Sequence, residues 1–305
     1  MNAKTEKKLS YAILALPAVL IYLAVVAFPT VFSVLLSFTN YNGGPVFGRG
    51  VFAWENMSFS SYIWMFTEPT RGFFNALRNN MLIVGVSVFG QIPLGFTLAY
   101  IISRRLIKRG VRFFQTMIFL PFVISPIVIG VLFNAFLRGP NSVWMEVRRF
   151  FNPDAVFTVA TTPMANMMPI LIVILWMFSG FYMVIFIAHL QRIDPAVIEA
   201  ARIDGASEGK ILGHVVLPVM TGEIVTCAIL AISGSLRTFD LIYTMTAGGP
   251  AGQTRVLSLY MFQSAFQGAP NYPLANAIST VMVLISIAMI ILVRFVGRLL
   301  NKDEV

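Results

Sequence analysis

Formal charges punctuate this chain, and the stretches between them are long and apolar. Residues 11–38 form one apolar run, and 80–103, 113–137, 166–190 and 275–293 form others. A further run, 216–240, carries Glu223 and Arg237 near its ends. A helix needs about 20 such residues to cross the hydrocarbon core of a bilayer. The pattern therefore predicts an all-α polytopic membrane protein, with six transmembrane helices in a single domain spanning 1–305. The first run far exceeds the roughly 7–15-residue apolar core of a cleaved leader, so it is expected to be a retained helix. Pro121 and Pro126 in the third run are expected to act as packing kinks.

Composition strengthens this reading. The 305 residues are 57% hydrophobic and 11% charged, and the mean hydropathy is +0.80. Soluble domains carry about 25% charged residues, so a water-facing surface could not be covered. Disorder is excluded by the same apolar content. The net charge of +9 would point to nucleic acid in a soluble protein, but here basic residues first report topology. Arg104, Arg105, Lys108, Arg109 and Arg112 crowd the short segment between the second and third runs. With that cluster inside the cell, Lys4, Lys7 and Lys8 at one end and Arg294, Arg298 and Lys302 at the other are also inside. Both termini are then cytoplasmic, and no nucleic-acid partner is expected. Cys227 is the single cysteine, which excludes an internal disulfide and a cysteine-based zinc site. His189 and His214 have no carboxylate at ligand spacing, so no metal site and no catalytic group is expected from them.

The segment 194–218 separates the fourth and fifth runs. Asp194 and Pro195 are an N-cap and first-turn pair. Glu199, Ala200 and Ala201 favour helix, and Gly205 can end that helix in the left-handed conformation. Residues 206–216 read as a second short helix, stopped by Leu217 and Pro218. Glu199, Asp204 and Glu208 give the segment an acidic rim beside Arg202 and Lys210. Composition alone fits an ordinary amphipathic connector.

The spacing adds more. Glu199-Ala200-Ala201, three residues, Gly205, nine residues, Val215, one residue, then Leu217-Pro218 resembles the EAA loop in the membrane subunits of binding-protein-dependent ABC importers. That family often has Ile at the position of Val215. Phe239-Asp240-Leu241-Ile242-Tyr243 with Thr246-Ala247-Gly248-Gly249-Pro250 resembles the outer end of the fifth span in carbohydrate-type permeases. Phe74-Asn75-Ala76-Leu77-Arg78-Asn79 and Leu120-Pro121-Phe122-Val123-Ile124-Ser125-Pro126 continue the likeness, which is to the maltose-type group. The resemblance implies a multi-pass subunit of a bacterial or archaeal plasma membrane that pairs with a second permease, expected to be a different chain. It implies two cytosolic ATPase subunits, an extracytoplasmic solute-binding protein and a sugar substrate, an oligosaccharide or glycoside. ATP and magnesium would sit on the ATPase subunits and no cofactor in this chain, which has no Gly-x-x-x-x-Gly-Lys-Ser/Thr phosphate loop and is expected to be no enzyme itself. Glu199, Ala200, Ala201, Asp204, Gly205, Leu217 and Pro218 would couple to the ATPase. Glu199 would pair there with a basic residue, and Gly205 would set the angle between the short helices.

Other residues keep two readings. Trp176, Phe178, Phe181 and Tyr182 in the fourth run face lipid and neighbouring helices, or stack on sugar in a substrate path. Ser235, Thr238 and Asn134 would supply hydroxyl and amide groups to that path. Arg237 and Asp240, three apart on one helical face, neutralise each other or act in an outer gate with Gly248, Gly249 and Pro250. Glu223 is read as a contact within the bundle rather than a proton site. A secondary transporter driven by an ion gradient is the alternative from another class. It calls for internal repeats and carboxylates near mid-membrane, and the sequence has neither.

Overall fold

The apolar runs fold as helices in the computed structural model, which describes residues 3–41, 43, 51, 56–67, 72–104, 110–137, 142–151 and 163–300. Arg105, Lys108, Arg109 and Lys302 lie outside the described residues. In chain order the helices are α1 (Ala3–Tyr22), α2 (Phe28–Leu36), α3 (Ser60–Thr67), α4 (Phe73–Val86), α5 (Ile92–Ser103), α6 (Val111–Val123), α7 (Pro126–Leu137) and α8 (Val143–Phe151). Then follow α9 (Pro163–Leu190), α10 (Pro195–Ile203), α11 (Glu208–Ile211), α12 (Leu217–Arg237), α13 (Asp240–Thr246), α14 (Leu257–Phe266) and α15 (Tyr272–Leu300). Among the described residues, the one β feature is an isolated bridge between Thr39 and Met57.

At Pro29, Pro93 and Pro218 a span passes through a proline without breaking, and each does so in the same way. A helical proline donates no N–H and its ring presses on the carbonyl four residues back. Just before Pro29, Pro93 and Pro218 the helix widens into π turns at Leu23–Ala27, Ser87–Gln91 and Leu212–Val216. The next residue then bonds five back: Phe28 to Leu23, Ile92 to Ser87, Leu217 to Leu212. The extra residue makes room for the ring and keeps the backbone bonded, which lipid demands.

That device corrects the expected end of the segment 194–218. Pro218 does not stop the second short helix. α11, its π turn and α12 form one candidate span, Glu208–Arg237. The third run is also corrected: it does not continue through Pro126. α6 and α7 meet at 91°, because the residue before a proline is pushed to extended backbone and Ile124 has already left the helix at ψ 137°. Among the described residues five helices are long and apolar enough to cross a membrane, or six if the bent pair is one span.

The described residues fall into two compact units, one of 1–71 with 261–281 and one of 72–260 with 282–305. In the first, the Ser33 hydroxyl donates to Asn276 Oδ1 and Phe38 stacks on Tyr62. In the second, α5 and α9 lie against each other around Phe96, Met183 and Phe186, with Ile198, Ile211 and Met220 completing the buried cluster. Glycines let these helices touch, as small residues do between membrane helices. A Cβ on Gly95 would be 2.8 Å from Tyr182 Cβ, and one on Gly180 would be 2.8 Å from the carbonyl carbon of Ile118.

Candidate functional site

The segment 194–218 is built from local signals. Asp194 caps α10, its carboxylate accepting from the Ala196 N–H at 2.9 Å. Gly205 has φ +76°, and the bonds Gly205 N–H to Arg202 O and Ala206 N–H to Ala201 O, both 3.0 Å, close the helix end. Ile198 and Ile211 are buried as the apolar root of the segment. Arg202 donates to Glu208 at 2.6 Å, and the Tyr100 hydroxyl on α5 donates to the same carboxylate at 3.0 Å. The segment is thus tied to the second span. Glu199, Ala200, Asp204 and Gly205 are exposed while Ala201 is half-buried against the root. Ile203, between them, is 86% exposed. Leu217 and Pro218 are exposed but lie within the continuous α11–α12 rod.

A cavity of about 180 Å³ lies among α4, its π turn, α9 and the end of α12. Phe178, Tyr182, Ser235, Thr238, Arg237 and Asp240 line it, together with Ser87 and Gln91, which sequence reasoning missed. Tyr182 is 4% exposed, and its hydroxyl makes no hydrogen bond among the described residues. The Ser235 hydroxyl donates to Ser87 Oγ at 2.9 Å, and Gln91 Nε2 donates to Ile174 O at 2.8 Å. Three residues expected in the path do not line this cavity. Trp176 packs on Phe133 and Phe181 stacks on Phe122. Asn134 donates to the carbonyls of Thr244 and Met245 at 3.1 and 2.7 Å, capping α13.

Arg237 and Asp240 do not share a helical face, which corrects that expectation. α12 ends at Arg237, Thr238 turns to ψ 114°, and Asp240 starts α13. Among the described residues no ion pair joins them. The break is held open by side chains that take over the freed backbone groups. Asn80 donates to Ser235 O at 3.1 Å and accepts from Leu257 N–H at 2.7 Å, and Ser258 donates to Thr238 O at 2.6 Å. Gly248, Gly249 and Pro250 are not in the cavity wall. They belong to the turn after α13, where the Gly249–Pro250 peptide is cis and Asn75 and Asn79 hold Gly252, Gln253 and Arg255 by their carbonyls at 2.8 Å. Asn80→Leu should strand the buried Leu257 N–H at about 1–3 kcal/mol, while Ser235 O keeps the Thr238 N–H at 3.3 Å. A melting temperature lower by several degrees in detergent is the expected reading; an unshifted one would mean that water replaces the amide.

His189 does have a carboxylate, invisible to spacing. Its Nε2 is 3.0 Å from Glu223 Oε1 across α9 and α12. Glu223 is thereby a contact between helices.

The family described as the binding-protein-dependent transport system inner membrane component matches the chain over residues 91–304. The chain is 30% identical over 290 residues to a probable ABC transporter permease protein of Pyrococcus horikoshii, covering 93% of this chain and 94% of that one. It is 32% identical over 220 residues to a lactose transport system permease protein of Rhizobium radiobacter, 70% of this chain and 72% of the relative. In fold it is similar to a chain in the crystal structure of a bacterial ABC transporter involved in import of the acidic polysaccharide alginate, with TM-score 0.79 at 22% identity and 98% of both chains covered.

Proposed function

The chain belongs to the family of inner membrane components of binding-protein-dependent transport systems, and from that membership we propose that it passes a sugar, an oligosaccharide or glycoside, through the membrane as a permease subunit of an ABC importer. Both termini lie in the cytoplasm. A second permease, a different chain, completes the path. Two cytosolic ATPase subunits bind ATP and magnesium, and an extracytoplasmic binding protein delivers the sugar. Residues 194–218 dock on an ATPase subunit, with Glu199, Ala200, Ala201, Asp204 and Gly205 at the contact and Leu217 and Pro218 in the rod behind it. Relatives named for lactose and for trehalose and maltose transport support the sugar assignment.

The observation that carries the path is the hydroxyl of Tyr182, a buried residue on the wall of the cavity, which makes no hydrogen bond among the described residues. Sugars present apolar ring faces and many hydroxyls. Phe178 and Tyr182 offer faces, while Thr238, Arg237 and Asp240 offer donors and acceptors at the same wall. The cavity is below the about 300–1,000 Å³ of ordinary ligand sites, as half of a path shared with a second permease should be. Tyr182→Phe removes only the hydroxyl. Uptake into proteoliposomes should fall about two- to tenfold, the worth of one neutral hydrogen bond, with an unchanged melting temperature. Normal uptake of two different sugars by this variant would remove Tyr182 from the path. Arg237, Asp240, Gly248, Gly249 and Pro250 are assigned to the outer gate in the same proposal.

A further inference from the structure

The coupling segment leaves the bundle at the end of α9 and returns along α12, and one polar contact joins these two ends. His189 is one residue from the end of α9. Its Nε2 lies 3.0 Å from Glu223 Oε1 on α12, and its Nδ1 lies 3.0 Å from the carbonyl oxygen of Ile185 one turn back. Both ring nitrogens face oxygen acceptors, so the ring cannot turn without losing one of them. The two side chains are 21% and 33% exposed. An ionisable group inside an apolar helix is costly unless it is paired or used.

Apart from the Arg202 and Tyr100 bonds to Glu208, the root of the segment is apolar. Ile198 and Ile211 pack into the cluster of Phe186 and Met220. Such burial is non-directional, and packed helices slide over one another by small shear motions. A hydrogen-bonded pair with a set length resists that sliding. We propose that His189 and Glu223 form a clasp that makes the two ends of the coupling segment move as one body, so that force on the segment reaches the fourth and fifth spans together. This rests on the reading of 194–218 as the docking element. His189 and Glu223 are positioning residues: they touch neither ATP nor sugar.

The test uses the whole complex in proteoliposomes and reads sugar moved per ATP hydrolysed. His189→Ala and Glu223→Ala should each lower that ratio at least about fivefold, the lower end of ordinary coupling between sites, while hydrolysis stimulated by the binding protein continues. The double variant should be no worse than either single one, because both act through one contact. His189→Lys keeps an N–H donor for the Glu223 carboxylate and should recover most of the ratio. The clasp is overturned by an unchanged ratio, by multiplied effects in the double variant, by a lysine variant as poor as alanine, or by hydrolysis and uptake falling equally. Loss of the inserted subunit in the alanine variants would also overturn it, by making the pair a folding contact. Gly205→Val in the same preparation separates the two ideas. Normal uptake from that variant sinks the docking lever itself, whereas damaged Gly205→Val beside normal His189→Ala sinks the clasp alone.

Discussion

Gly180→Val should yield no folded subunit, and Gly180→Ala should already lose most of it. A Cβ at Gly180 would land on the carbonyl oxygen of Ile118, 2.8 Å from its carbon and 2.9 Å from Phe119 Cα. These are backbone atoms of α6, so no side-chain rotation relieves the clash. α6 would have to back away from α9, opening the wall against which Phe122 packs on Phe178 and Phe181. Overpacking with freedom to adjust costs about 1–3 kcal/mol. Here the adjustment is a rigid-body shift, and whole domains are stable by only about 5–15 kcal/mol. The measurement is the yield of monodisperse protein extracted from membranes. Gly85→Ala is the matched control, since an added Cβ there meets nothing within 4 Å and alanine is the better helix former by about 1 kcal/mol. Equal yields from the two alanine variants would show that α6 is not held against α9.

Gly180 and Gly85 also mark how far sequence reading goes. Both are glycines inside apolar runs, and nothing local distinguishes them. The runs themselves were legible, because bilayer thickness sets their length. So were Asp194, Pro195 and Gly205, whose roles as cap, first-turn residue and left-handed terminator depend only on neighbours along the chain. Pro218 was misread because a proline after an apolar turn ordinarily ends a helix. The π turn that rescues it uses bonds within the same few residues, and it recurs two residues ahead of Pro29 and Pro93. That offset is a signal a reader could have sought.

The break between Arg237 and Asp240 was not legible in the same way. Residues 237–240 have no glycine or proline to announce it. The helix stops there because distant groups satisfy what it gives up: Asn80 on α4 takes Ser235 O and Ser258 on α14 takes Thr238 O. Tertiary partners override local preference. The same holds for His189 and Glu223, which meet only because α9 and α12 are neighbours. In the candidate path, residue type suggested six aromatic, hydroxyl and amide groups beyond Tyr182, and only Phe178, Ser235 and Thr238 line the cavity. Trp176 and Phe181 sit on α9 beside Phe178 at other angles, and Asn134 sits on α7; rotation about a helix axis cannot be read where every face is apolar.

Ile203→Asp and Glu199→Lys should each strip the ATPase from the complex and abolish uptake of every sugar alike. The two residues are one turn apart on α10 and therefore on one face. Glu199 is exposed and, among the described residues, in no salt bridge, because Arg202 is engaged by Glu208. Ile203 is 86% exposed, far more than a lone apolar residue needs to be at the end of a helix whose Ile198 is buried. A protruding aliphatic side chain beside a carboxylate fits a cleft with an apolar floor and a basic edge, the kind of anchor that dominates an interface at about 2 kcal/mol or more. Asp at 203 would place a charge on that floor, and Lys at 199 would set like charges together at a cost of several kcal/mol. Both variants should insert and melt normally, since neither side chain is packed within this chain. Co-purification of the ATPase with each variant is the measurement, beside uptake of two sugars. Retention of the ATPase by Glu199→Lys and Ile203→Asp together would move the docking face off α10. Retention by Ile203→Asp alone would leave an electrostatic contact without an apolar anchor, and only the acidic rim would then carry the recognition.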